Sequence, residues 1–187
     1  AASDVYKRQA IRELIESGLA VNRPYAGTYV TEVNAAVLKD VYEIRRMLEA
    51  QAYSRIWPNR HAAFRDELQN RFDLMIDAVS SGNLAEQIRT EAHFHGLVFE
   101  TCGNHLMPAF WQQMTQKIQL GFAICQIAHA PKVDFEANHR RFLECALGDS
   151  LDDMLAELNT HLDRGLATIQ FESGLPTATP RSVSYTH

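Results

Sequence analysis

A chain of 187 residues with 46% hydrophobic and 22% charged residues has enough apolar material for one sizeable domain, which excludes a disordered polypeptide. No apolar run approaches the roughly 18 residues of a membrane span, and no signal-peptide h-region opens the sequence. Three cysteines without a CxxC pair argue against a disulfide framework and for a reducing cytoplasm. The net charge of −5 gives no overall basic footprint, but its distribution is uneven. Residues 1–31 carry Lys7, Arg8, Arg12 and Arg23 against Asp4, Glu13 and Glu16, whereas the remaining 14 basic residues stand against 20 acidic ones. A slightly basic head on an acidic body is compatible with contact to nucleic acid through the head.

In chain order, Ser3 to Gln9 carry no pattern that continues into their neighbours and read as foreign adaptor sequence, as do Ser182 to His187. Ala10, Ile11, Leu14 and Ile15 read as the end of a helix stopped at Gly18. The runs Leu19–Arg23 and Thr28–Thr31 flank Pro24-Tyr25-Ala26-Gly27, which predicts a β-hairpin. From Ala35 onward the pattern is helical, with helices predicted near 35–57, 61–80, 83–102, 105–128, 134–147 and 150–171. Breaks fall at Pro58, Gly82, Gly103, Pro131 and Gly148, and Asn83, Asp134 and Ser150 are candidate N-caps. Six helices joined by short loops predict an all-α antiparallel bundle over residues 34–172. The Pro-, Thr- and Ser-containing tail over 173–187 should be poorly ordered.

Four residues interrupt the apolar stripes of these helices. Leu84, Ile88, Glu91, His95, Val98 and Cys102 form one stripe with steps of three and four. Phe135, His139, Phe142 and Ala146 form a second, and Leu151, Met154, Leu158, His161 and Gly165 a third. A buried carboxylate and three buried imidazoles are costly unless paired or bound to a metal. Glu91, His95, His139 and His161 converging on one cation would offset that cost together. The donor set suits zinc, with nickel or manganese as alternatives. The ordinary reading of Glu91 and His95 alone is a helix pair at i, i+4. Glu136 with His139 makes an ExxH, but no second ExxH exists to support a di-iron bundle, so Glu136 reads as a solvated residue. His61, His93, His105 and His129 read as surface or capping residues.

Arg45 flanks the apolar side of the first bundle helix with Tyr42, Leu48 and Ala52. Its guanidinium could clamp a carboxylate ligand beside the metal, or it could form a structural ion pair. Arg46 reads as solvent-facing. Trp111, Met114, Ile118 and Phe122 form a stripe assigned to packing, part of it available to line a pocket. On the head, Arg8, Arg12, Arg23 and Gly27 are the candidate DNA contacts, since a glycine at a hairpin tip lets backbone approach a groove and arginine can reach phosphate.

Two sets of motifs then resemble one family. Ala10 to Leu19 followed by Arg23-Pro24-Tyr25-Ala26-Gly27-Thr28-Tyr29-Val30 resembles the end of the recognition helix and the wing of GntR-family transcription regulators. Val41-Tyr42-Glu43-Ile44-Arg45-Arg46-Met47-Leu48-Glu49 resembles the opening helix of the FCD effector domain of the FadR-type subfamily. Glu91-Ala92-His93-Phe94-His95 with Gly103-Asn104, then Asn138-His139-Arg140, then His161-Leu162, resemble that domain's metal motifs. The resemblance implies a bacterial, cytoplasmic, homodimeric regulator. Its winged helix-turn-helix would read operator DNA, and its helical domain would hold a divalent metal and a small carboxylate effector. Three features depart from the pattern: the first helices of the winged domain are missing from residues 1–31, Glu91 stands where aspartate is usual, and Ala26 replaces a basic residue before the wing glycine. The rival reading is a metal-dependent enzyme on the same bundle, with a plain helical interaction module as a third.

Overall fold

The computed structural model describes residues 2–16, 20–30, 34–128 and 134–173. The head begins with helix α1 (Ala2–Glu16) and continues into strands β1 (Ala20–Arg23) and β2 (Gly27–Val30). The strands pair antiparallel in a register that sets Ala20 opposite Val30 and Arg23 opposite Gly27. The turn closes where the Ala26 N–H donates to the Arg23 carbonyl at 3.0 Å. It needs left-handed backbone at Tyr25 (φ 62°) and at Gly27 (φ 103°), and only the latter is cost-free. The Tyr29 hydroxyl donates back to the Ala26 carbonyl at 2.9 Å, and the Arg23 guanidinium lies 5.1 Å from the Tyr29 ring.

The expected hairpin is therefore present, and Ser3 to Gln9, which read as adaptor sequence, lie within α1. That segment is not separate from the head, because α1 runs unbroken from Ala2. Intrahelical hydrogen bonds sustained it where no apolar period was visible. The expected stop at Gly18, His129 and the segment from 174 onward lie outside the described residues.

The body consists of α2 (Ala35–Ile56), α3 (Ala62–Ser81), α4 (Leu84–Thr101), α5 (Met107–Ala128), α6 (Phe135–Leu147) and α7 (Leu151–Ser173). A single 3₁₀ turn, Trp57–Asn59, extends α2 where Pro58 prevents continuation. All six predicted helices are present with ends within two residues of expectation. The local reasons are visible: Asn83 and Asp134 accept from the N–H groups of Glu86 and Ala137, and the Ser150 hydroxyl accepts from Asp153. Asn34 caps α2 in the same way through Val37 at 2.9 Å. Gly82 ends α3 in left-handed backbone at φ 68°.

Helix α4 packs against α2, α3 and α5, while α7 packs against α2, α5 and α6. Phe94, Leu97, Val98 and Phe99 on α4 are all buried, together with Tyr42 and Tyr53 of α2, Phe72 of α3, Phe142 of α6, and Met154, Leu158 and Leu162 of α7. Trp111, Met114 and Ile118 of α5 join this core as expected, and the Phe122 side chain lies outside the described residues. Among the described residues no helix is long and apolar enough to cross a membrane.

Several arginines stitch the bundle. Arg60 donates to the carbonyls of Ala146 and Gly148, and Arg65 donates to that of Leu147, so cations satisfy the open C-terminal end of α6. Arg71 on α3 donates to Glu67, to the His93 carbonyl and twice to Glu100, at 2.7 to 3.1 Å. Arg46, expected to face solvent, remains partly exposed and also bridges α2 to α7. It donates to the backbone and side-chain oxygens of Asn159 and to Asp163, whose acceptors lie one turn apart.

Candidate metal centre

The three bundle stripes turn inward at one level. His95 from α4, His139 from α6 and His161 from α7 are all buried, and one nitrogen of each lies within 4.8 Å of the others. The Nε2 atoms of His95 and His161 are 3.3 Å apart. Two ligands bound at about 2.0–2.1 Å in tetrahedral arrangement are separated by roughly that distance. Glu91, one turn before His95 on α4, brings Oε1 to 3.8 Å from His139 Nε2. Aromatic rings wall the cluster: Phe142 lies 5.0 Å from the His95 ring and 4.8 Å from that of His161, and Phe94 lies 5.0 Å from that of His95.

The hydrogen-bond pattern aims lone pairs inward. His139 Nδ1 lies 2.9 Å from the Phe135 carbonyl, which can only accept. The proton therefore sits on Nδ1, and Nε2 keeps its lone pair. That Nε2 is buried and has no hydrogen-bond partner. Burial drives the pKa of both His95 and His161 well below the usual imidazole value, with neighbouring positive groups adding to the effect. Both are neutral at neutral pH, the form in which an imidazole ligates.

Buried nitrogens left open on neutral rings are costly in an apolar wall. A divalent cation with borderline preference for nitrogen and oxygen donors would satisfy them, so the residues fit the group.

Arg45 lies at the edge of this cluster. It is the ion-pair partner of Glu49 on its own helix, with Nε donating to Oε2 at 2.9 Å. The same guanidinium lies 5.2 Å from the Trp111 ring and 5.7 Å from that of Tyr42. Its Nη2 is buried without a partner. Arg45, Glu91, His95, Trp111, Thr115 and Ile118 line a cavity of about 10 Å³, room for about one water. Thr115 Oγ1 also lacks a partner among the buried atoms. Trp111 comes this close to α4 because position 96 is glycine: a Cβ there would stand 2.9 Å from the indole nitrogen.

Sequence reasoning missed Glu49. The apolar side of α2 was expected to carry Tyr42, Leu48 and Ala52 beside Arg45, but Glu49 is wholly buried and Leu48 only partly so. Steps of three and four through 42, 45, 49 and 52 were the available signal. Thr115 had no such signal. Among the weaker candidates His61, His93 and His105 are exposed, as is Glu136, which pairs with Arg140. On the head, Arg8, Arg12, Arg23 and Gly27 are all exposed. Arg8 and Arg12 stand one turn apart on α1.

The fold is a helical bundle with a buried three-histidine cluster, a candidate metal site, and an adjacent buried arginine. The FCD domain model matches residues 40–174, and the chain belongs to that family. No curated protein matches it. Among solved structures, McbR/YncC of E. coli is similar at TM-score 0.75 and 18% identity, over 87% of this chain and 82% of that one. A GntR regulator from Rhodococcus sp. is similar at TM-score 0.72 and 20% identity, over 87% and 77%. A GntR-family transcriptional regulator from Pseudomonas syringae pv. tomato is similar at TM-score 0.62 and 18% identity, over 88% and 68%. Identities this low establish the shared fold alone.

Proposed function

We propose that this chain belongs to a cytoplasmic, homodimeric, ligand-responsive transcription regulator of the GntR type. Its bundle holds a divalent metal, zinc in the first instance, through His95, His139, His161 and Glu91. The carrying observation is the convergence of three buried imidazoles from three helices, with the Nε2 of His139 orphaned toward the others. When bound, the metal supplies a positive centre with positions open to an acid ligand. Arg45 supplies the second positive group, because it lines the same cavity and its Nη2 is buried without a partner. A small carboxylate is the ligand class that both would attract.

At about 10 Å³ the cavity is smaller than any such acid. Binding therefore requires the residues around the cavity to move, which supplies a conformational difference between free and bound states. The head carries the exposed basic groups Arg8, Arg12 and Arg23 and the wing glycine Gly27, which would face operator DNA. The family match and the structural neighbours support a regulator over the enzyme reading.

The test is metal analysis of protein purified without chelators, followed by a thermal-shift screen with carboxylate metabolites. One metal per chain is expected in the wild type and none in His161→Ala. An acid that raises the melting temperature of the wild type should not raise that of Arg45→Met. Wild-type protein without stoichiometric metal removes the chemical basis of the proposal.

A further inference from the structure

Glu49 is the most deeply buried carboxylate of the site and belongs to none of the predicted ligands. It is fully buried, on α2 opposite α4. One oxygen, Oε2, accepts from Arg45 Nε at 2.9 Å. The other, Oε1, stands 3.4 Å from His95 Nδ1, outside hydrogen-bond geometry, and both atoms are buried without a hydrogen-bond partner. Meanwhile the opposite nitrogen of the same ring, Nε2, faces His161 inside the cluster. A carboxylate facing one imidazole nitrogen favours the proton on that nitrogen and leaves the other to present its lone pair.

Resting on the metal reading above, we propose that Glu49 is a positioning residue which fixes the tautomer and direction of His95 through Oε1 while holding Arg45 through Oε2. The metal ligand and the acid-binding arginine thereby share one buried support. His139 obtains the equivalent fixation from a backbone carbonyl, so its orientation follows from the helix itself. His95 has no such carbonyl, and its orientation depends on a side chain from another helix. The glutamate is held to one geometry because its side chain has no access to solvent and its second oxygen is tied to Arg45. A glutamine of the same volume can accept from His95 or from Arg45, but its amide nitrogen then meets the other donor head-on.

The experiment uses the full chain, with Zn²⁺ measured in competition with a chelating dye and Co²⁺ as the spectroscopic probe. Glu49→Gln is expected to weaken Zn²⁺ binding 10- to 100-fold and to alter the visible spectrum of the bound Co²⁺. Arg71→Lys is the control that leaves both unchanged. A long-range ¹H–¹⁵N spectrum of metal-free wild-type protein, with the His95 signals assigned through His95→Gln, reads the tautomer directly even where Glu49→Gln does not fold. The Nδ1–H form is expected, and an Nε2–H form overturns the inference. Zn²⁺ affinity and Co²⁺ spectrum unchanged in a folded Glu49→Gln protein also overturn it, whereas failure of the wild type to bind either ion refutes the metal reading itself.

Discussion

Arg45 and Arg71 are both buried arginines beside a glutamate one turn away on the same helix, and they end differently. Arg71 uses Nε, Nη1 and Nη2 on Glu67, Glu100 and the His93 carbonyl. Both of its carboxylate partners remain two-fifths exposed. Arg45 spends Nε on Glu49, and its Nη2 is buried without a partner. A satisfied arginine is a structural tie between two helices. An arginine buried with an open donor is a cost that a ligand can relieve. The difference separates a bundle seam from a candidate binding site using the same residue types.

The largest way to break the comparison is to remove each guanidinium in turn. Arg45→Met leaves Glu49 enclosed and unpaired, which should cost about 3–5 kcal/mol. Arg71→Met strands carboxylates that water can still reach, and should cost about 1–3 kcal/mol through lost hydrogen bonds. Urea unfolding of the two variants measures both, and equal losses would refute the contrast. The thermal response to an acid ligand should vanish only in the Arg45 variant.

A second test uses pH on metal-free protein. His95 and His161 have folded-state pKa values depressed by burial, whereas an unfolded histidine titrates near 6.5. As pH falls through about 6.5 the unfolded chain takes up protons that the folded chain does not. Stability should therefore be flat above that point and fall below it by up to about 1.4 kcal/mol per pH unit for each histidine. Chemical denaturation between pH 8 and 5.5 reads the slope, and His161→Phe should roughly halve it; an unaltered slope would sink the assignment.

The smallest expected effect is a control away from the site. Asn34→Ala removes the cap of α2 and should cost about 1 kcal/mol. Zn²⁺ affinity should not change, because the cap lies at the far N-terminal end of that helix from Arg45 and Glu49. A change in affinity would show that fraying of α2 reaches the cluster.

Much of the body was legible in the sequence because its helices are punctuated by glycine, proline and capping residues. Glu91, His95, His139 and His161 could be found because polar groups on period-3.6 apolar stripes stand out against their neighbours. Glu49 was harder: a glutamate on the first bundle helix looks solvated until α4 is packed across it. Arg71 was invisible for a related reason, since one of its acceptors is the His93 backbone carbonyl on another helix. The helix over Ser3 to Gln9 was not legible because those residues carry no hydrophobic rhythm, although α1 persists through Arg8.

One small detail reaches further than its size suggests. Gly96 allows the indole of Trp111 to settle flat on Phe99, with ring centroids 4.8 Å apart and planes inclined by 12°. That indole is the surface against which the Arg45 guanidinium rests. The spacing between α4 and the arginine is thus gauged by an atom that glycine lacks. Enlarging residue 96 would re-aim the guanidinium while leaving every charge in place.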